Sequence, residues 1–379
     1  MKHIQYPILL CLYLVTGLAA FGQTPPVDLA NLSLGDLLNA KIIRSYSDLS
    51  SFEARKQDMP EGYFDSSRLH FSTSYIKVRF DGYMDGTDDV SINDVLWTPG
   101  KELRTDENFP VVPTVITQEA IQFKGAYDLT EQWSLSLSIP YIRQETEHVT
   151  DNPNFDPYFE DFTIISEGFG DIELGATWLH RLNQNNSILV NLGLSLPTGS
   201  IDEVGRTPKD ANVDTQLPYT MQLGSGTYDI KPSVVYSGTA GEWTYGANLN
   251  MTIRTGKNDR DYRLGNVYQA GIWTRYALTD WIMPSFRIDG IVWDEISGED
   301  QDLLKPDLPV SPYPAAVVKP DNFGGTKCLA LVGLRLKDPR GRLENTFLEL
   351  EAGAPFYQDL NGPQPSEDWR FSVSLVLSF

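Results

Sequence analysis

From residue 68 onward, apolar and polar side chains alternate with a period of two, the pattern of a strand buried on one face. Trp369, Phe371, Val373, Leu375, Leu377 and Phe379 alternate with Arg370, Ser372, Ser374 and Ser378. Trp243, Tyr245, Ala247, Leu249, Met251 and Ile253 alternate with Thr244, Gly246, Asn248, Asn250, Thr252 and Arg254. Residues 133–141 and 188–196 repeat the pattern with serines, Asn191 and Gly193 between their apolar positions. Twelve segments of this kind are predicted, near 68–80, 114–128, 132–143, 169–182, 187–198, 225–237, 242–255, 265–278, 281–293, 325–337, 345–356 and 368–379. The first and tenth alternate least regularly.

The connections support the count. Those after strands 2, 4, 6, 8 and 10 are short, while those after strands 1, 3, 5 and 9 run over about 81–113, 144–168, 199–224 and 294–324. Short turns alternating with long loops are the signature of an outer-membrane β-barrel, with the turns and both termini in the periplasm. In hydrocarbon an open sheet edge has no water to pair with, so the sheet must close. The fold class expected is therefore all-β, a transmembrane antiparallel barrel of about twelve strands with long acidic extracellular loops. Trp133, Trp243, Trp281, Trp369 and the terminal Phe379 are candidates for an aromatic girdle at an interface. A soluble sandwich would explain the alternation but not the girdle or the loop asymmetry.

The amino terminus reads differently. Lys2 and His3 precede an apolar run from Ile8 to Ala20, and Ala20-Phe21-Gly22 offers small residues at −3 and −1 of a cut before Gln23. That is the pattern of a secretory signal peptide over residues 1–22. Residues 23–67 then form a periplasmic segment whose leucines at 29, 32, 34, 37 and 38 predict a short helix within 28–42. This stretch resembles the segment ahead of the plug in TonB-dependent receptors, but the chain is too short for a plug plus a barrel of 22 strands. The barrel itself occupies 68–379.

Composition fits this division. Mean hydropathy is −0.27, which suits a barrel with a polar interior better than a bundle of membrane helices. Of two cysteines, Cys11 lies in the leader, which leaves Cys328 and excludes a disulfide framework or a multi-cysteine metal site. A net charge of −21 argues against nucleic acid as a partner.

Several stretches go beyond barrel grammar. Gly168-Phe-Gly-Asp-Ile-Glu-Leu-Gly-Ala-Thr-Trp178 is followed by Asn191-Leu-Gly-Leu-Ser-Leu-Pro-Thr-Gly-Ser-Ile-Asp202. With Met84-Asp-Gly86, Glu147-His-Val-Thr150, Leu217-Pro-Tyr-Thr-Met-Gln-Leu-Gly-Ser-Gly-Thr-Tyr-Asp229 and Tyr357–Pro363, the chain resembles the outer-membrane transporters grouped with the MetA-pathway phenol-degradation proteins. The resemblance covers about residues 60–379. It implies residence in the outer membrane and passage of small organic compounds. Relatives in that branch carry Met- and His-rich segments near the first strand; Ala54–Tyr63 and Leu69–Phe80 hold one of each, which weighs against a metal role.

Charged residues on the inward phase are candidates for lining the lumen: Lys124, Glu173, Arg181, Lys231, Arg254, Arg275, Arg287, Asp289, Glu349, Glu351 and Arg370. They could set ion preference in a pore or pair with one another across a filled interior. The acidic loops 144–168 and 294–324 lack the ordered spacing of a calcium loop, so solvated charge is the preferred reading and no metal or cofactor is expected. Catalysis would need a serine beside His70, His148 or His180, and no Gly-x-Ser-x-Gly elbow occurs. The expected function is a passive channel for small hydrophobic or aromatic solutes. The alternative is a closed structural or binding barrel with a periplasmic partner, and an outer-membrane lipid hydrolase stands third. The lipid bilayer, lipopolysaccharide and the barrel-insertion machinery are the expected partners.

Overall fold

The computed structural model describes residues 68–150, 161–207, 210–338 and 346–378. The expected leader, the 23–67 segment with its predicted helix, and Phe379 lie outside these residues.

Eleven strands form the wall: β1 (Leu69–Gly86), β3 (Val111–Asp128), β4 (Trp133–Thr150), β6 (Ile172–Asn183), β7 (Asn186–Leu196), β10 (Tyr228–Ala240), β11 (Trp243–Thr255), β13 (Val267–Tyr276), β14 (Ile282–Trp293), β16 (Gly325–Lys337) and β17 (Phe347–Ser378). Each pairs antiparallel with its neighbours in chain order, and β17 closes the ring onto β1. The last strand makes two passes. Its first half pairs with β16 from Phe347 to Leu360, and its second runs back along β1 from Gln364 to Ser378, with Gly362 at positive φ in the turn. The wall is thus crossed twelve times.

Smaller elements complete the chain. A three-residue β2 (Asp88–Val90) pairs with β1, and β5 (Asp161–Phe169) pairs with the far half of β4. β8 (Val204–Thr207) and β9 (Asp210–Gln216) form a hairpin, and β12 (Tyr262–Arg263) pairs with β15 (Ser297–Gly298). All lie toward the end that carries the long connections, the extracellular end of such a barrel.

Burial alternates along the wall in the sense the pattern requires. On β4, Trp133, Leu135, Leu137, Ile139 and Tyr141 face out, while Ser134, Ser138, Ile142 and Gln144 are buried inside. Large apolar residues such as Phe123, Leu192, Val234, Phe286 and Val332 stand exposed on the outer surface. A continuous band of them is at home only in lipid. From Trp133 to Tyr141 the band covers ~27 Å of strand, or roughly 20 Å of height at a ~40° tilt. Above it on the same face come Arg143, Glu145 and Glu147. Arg143 joins Glu119, Glu145 and Glu167 in one network, and Lys77 reaches Glu119 at 3.1 Å. Charge on the outer face marks where the wall leaves the bilayer.

Beyond that level the strands continue. Residues 144–150 and 161–168 were expected as loop, yet they form the paired upper half of β4 and nearly all of β5. Strand pairing in water needs no apolar outer face, so the period-two signal stops while the ladder does not. β5 leads into β6 through a break at Gly170 and Asp171.

The long connections fold into a cap. Tyr219, Tyr262, Leu264, Ile296, Val317 and Phe323 share its core. Tyr219 packs edge-on to Tyr262 and Phe323, with ring centroids 4.7 and 5.4 Å apart. Arg260 fastens three loops by reaching Asp202 at 2.7 Å and Asp300 and Asp302 at 3.1 Å. Burial raises the Tyr219 and Tyr262 hydroxyls well above their ordinary range, so both are neutral hydrogen-bonding groups at any ordinary pH. Burial also lowers Arg104 to about 10, against the opposing pull of Asp106; the Arg104 guanidinium donates to the Tyr313 carbonyl at 3.1 Å.

Candidate functional site: the barrel interior

The inward face of the wall holds charge and hydrocarbon in separate zones. Most of the candidate lumen residues stand in ion pairs. Lys231 meets Glu173 at 3.4 Å across β7, and Arg254 binds Asp229. Arg275 and Arg335 share Glu349 at 2.7 and 3.3 Å. Arg287 lies between Asp289, at 3.3 Å, and Glu351. Glu367 is fully buried between Lys327 and Arg370. Lys124 faces inward beside Ser138 on β4, and Arg181 lies at the turn end of β6. Buried like this, each ion depends on its partner, because an unpaired charge in such surroundings is strongly unfavourable.

The second zone is apolar. Ile76, Val78 and Phe80 of β1, Ile116 and Ala120 of β3 and Ile142 of β4 share one cluster with Val267, Ile291, Trp293, Leu329 and Leu331 from β13, β14 and β16. A water-filled barrel has a polar interior, so this lining is unusual. It also explains the two least regular strands. On β1 the phase inverts, with Ile76, Val78 and Phe80 inside and Lys77 and Arg79 outside; on β16 both faces are apolar.

Into this zone reaches Leu217–Thr227, the end of the loop ahead of β10. Met221 and Leu217 are fully buried, and Leu223 joins the apolar cluster of the wall. Gln144 Nε2 donates to the Gln222 carbonyl at 2.9 Å, and the Ser166 hydroxyl donates to the Met221 carbonyl at 2.6 Å. The Thr146 hydroxyl lies 3.2 Å from the Met221 sulfur.

One carboxylate ties the segment down. Gly199 N–H donates to Asp171 Oδ1 at 2.9 Å, while the N–H and hydroxyl of Ser225 donate to Oδ2 at 2.9 and 2.8 Å. Leu223 and Gly224 N–H groups donate to the Ser200 carbonyl at 2.9 and 3.0 Å. The two chain segments cross so closely that a Cβ on Gly224 would lie 2.4 Å from the Gly199 carbonyl oxygen. Asp171, the Pro197-Thr-Gly199 turn and the Gly224-Ser-Gly226 turn come from three separate sequence motifs. The periodicity of strands carries no signal for their meeting.

This crossing makes Gly224→Ala a direct probe. Overpacking of that kind costs about 1–3 kcal/mol. Chymotrypsin is expected to cut the variant after Tyr219 or Leu223 while sparing the native protein; equal resistance would show that the crossing does not hold the segment.

The aromatic candidates divide between the two ends. Trp133, Trp243 and Trp281 are exposed on the outer surface at the short-turn end. Trp369 opens a strand that descends from the opposite end and pairs with Arg79, so it belongs to the upper boundary. The histidines do not sit as in a hydrolase. His70 Nε2 lies 3.1 Å from Asp128, and Ser134 donates to that same carboxylate at 2.7 Å, which places Asp128 where an imidazole would have to be. His180 stacks on Trp178 on the outer face, and His148 is buried against Phe162. Among the described residues no group of three or more His, Cys, Asp or Glu is placed to hold a metal ion.

Residues 161–301 match the model of a family described as the putative MetA-pathway of phenol degradation. The resemblance read from the sequence is borne out there, over the stretch that contains all three motifs meeting at Asp171. An outer membrane channel from Pseudomonas putida F1 superposes with a TM-score of 0.52 at 15% identity, covering 85% of this chain and 99% of that one. This shows the fold, an outer-membrane barrel. The toluene transporter TbuX of Ralstonia pickettii matches with a TM-score of 0.40 at 9% identity, covering 83% of this chain and 90% of its own. A mutant of the TodX monoaromatic hydrocarbon channel gives 0.43 at 8%, covering 83% and 91%. No curated protein matches in sequence.

Proposed function

We propose that this protein is an outer-membrane channel through which small hydrophobic or aromatic molecules pass down their concentration gradient, closed in this structure by Leu217–Thr227. The observation that carries the reading is the apolar lining. Eleven inward residues on six strands form a hydrocarbon surface where a pore for sugars or ions would present polar groups. An apolar solute leaving water for such a surface gains ~25 cal/mol per Å², whereas a hydrated ion gains nothing there. The charged network around Arg143 and Glu119 borders the lipid-facing band, at the level where lipopolysaccharide phosphates begin. Insertion by the barrel-assembly machinery follows from the same reading.

A second reading, a closed structural barrel, is favoured by one observation: the interior ions are buried in pairs and the wall residues between them are almost fully covered. Uptake separates the two. Intact cells expressing the chain should accumulate a radiolabelled monoaromatic hydrocarbon several-fold faster than cells without it. Leu331→Gln, which puts an amide into the apolar layer, should lower that rate by about tenfold, with a heat-shift gel confirming the folded barrel. Equal uptake with and without the chain would favour the closed barrel.

A further inference from the structure

The wall beneath Met221–Leu223 has a chemical asymmetry. Strand register places three inward rows across β1, β3 and β4: Ile76, Ala120 and Ile142; Val78, Gln118 and Gln144; and Phe80, Ile116 and Thr146. The outer rows are apolar except for Thr146, and the middle row carries two amides.

Those amides form a relay of fixed polarity. Gln144 Nε2 donates to the Gln222 carbonyl at 2.9 Å, a group that can only accept. Gln144 therefore presents Oε1 to Gln118, whose Nε2 donates to it at 3.1 Å. The relay ends at Gln118 Oε1. This oxygen is buried and has no hydrogen-bond partner, while Gln118 as a whole is 1% exposed. Turning the Gln118 amide over would place oxygen against oxygen at Gln144, so the unpaired acceptor is built in. A buried carbonyl left unpaired is unfavourable, and native proteins keep few of them.

We infer that the solute carries a hydrogen-bond donor: an otherwise apolar molecule with one hydroxyl, whose O–H meets Gln118 Oε1 while its hydrocarbon part covers Val78, Ile116 and Ala120. The solute reaches this place by displacing the Leu223 side chain while the Gln222 carbonyl keeps its hydrogen bond from Gln144. The inference rests on the channel reading and narrows its substrate class from hydrocarbons in general to alcohols.

Equilibrium binding to the full-length barrel in detergent tests it, with benzyl alcohol, its methyl ether and toluene followed by saturation-transfer NMR. Benzyl alcohol is expected to bind about fivefold tighter than the ether or toluene, the worth of one net hydrogen bond. Gln118→Met, which keeps the bulk and removes the acceptor, should abolish that preference. Equal affinity for all three in the native protein overturns the inference and leaves the channel reading standing, as does a Gln118→Met variant that keeps the preference. Binding of none of the three overturns both.

Discussion

Replacing Asp171 with asparagine should turn a silent barrel into one that opens. The carboxylate accepts three hydrogen bonds, one from Gly199 and two from Ser225. Asparagine can keep both hydrogen bonds from Ser225 through its remaining oxygen, but its NH₂ would then face the Gly199 N–H, setting donor against donor. Hydrogen bonds to a charged group contribute about 1.5–3 kcal/mol each. Losing one of them outright, and the charge behind the other two, at a crossing with no slack should shift the balance between seated and released segment by at least ~10-fold. In planar bilayers the native protein should give rare or no current steps, and Asp171→Asn should give frequent discrete ones. Because the polar side of the lumen contains Lys231, Asn250, Arg254 and Gln269, ions have a path once the segment leaves. A variant as quiet as the native protein would mean that the segment is held by its wall contacts alone.

The second large effect concerns stability. Glu367 is fully buried between Lys327 and Arg370. Glu367→Ala leaves two cations in an interior with no counter-charge, and breaking a buried pair in this way costs about 3–5 kcal/mol. Unfolding by heat or denaturant, followed by the mobility shift of the folded barrel on a gel, should show that loss. Replacing all three residues by apolar side chains of similar volume should restore most of the stability, since the ions then no longer need each other. If the single variant loses less than ~1 kcal/mol, water reaches Glu367 and the interior is wetter than its burial indicates.

Much of the fold is legible in the sequence because a lipid-exposed wall enforces its pattern: every second residue between Trp133 and Tyr141 must be apolar, and the short turns must lie at one end. The same physics hides the upper half of β4 and nearly all of β5, where the outer face meets water instead of lipid. It hides the apolar lumen too, since Ile76 and Val78 inside and Lys77 and Arg79 outside look like a poor strand rather than an inverted one. The charged lumen positions follow from phase alone, yet their partners do not. Glu349 serves Arg275 from three strands away, and Glu367 was absent from the candidates because a bulge at Asp368 shifts the phase between it and Arg370. The knot at Asp171 lies furthest from view. Residues 171, 199 and 225 are neighbours only after the barrel has closed, and the motifs that hold them announce a family before they announce a contact.

Hydrogen exchange on the segment itself tests the central claim, that apolar solutes cross this barrel at the place Leu217–Thr227 now occupies. The Leu223, Gly224 and Ser225 amides all donate hydrogen bonds in the closed state, and in the protein reconstituted into vesicles they should exchange slowly. Adding benzyl alcohol or toluene should speed their exchange while the wall amides of β10 and β11 stay protected. Exchange at these three amides that is unchanged, or slower, with solute present would contradict the account.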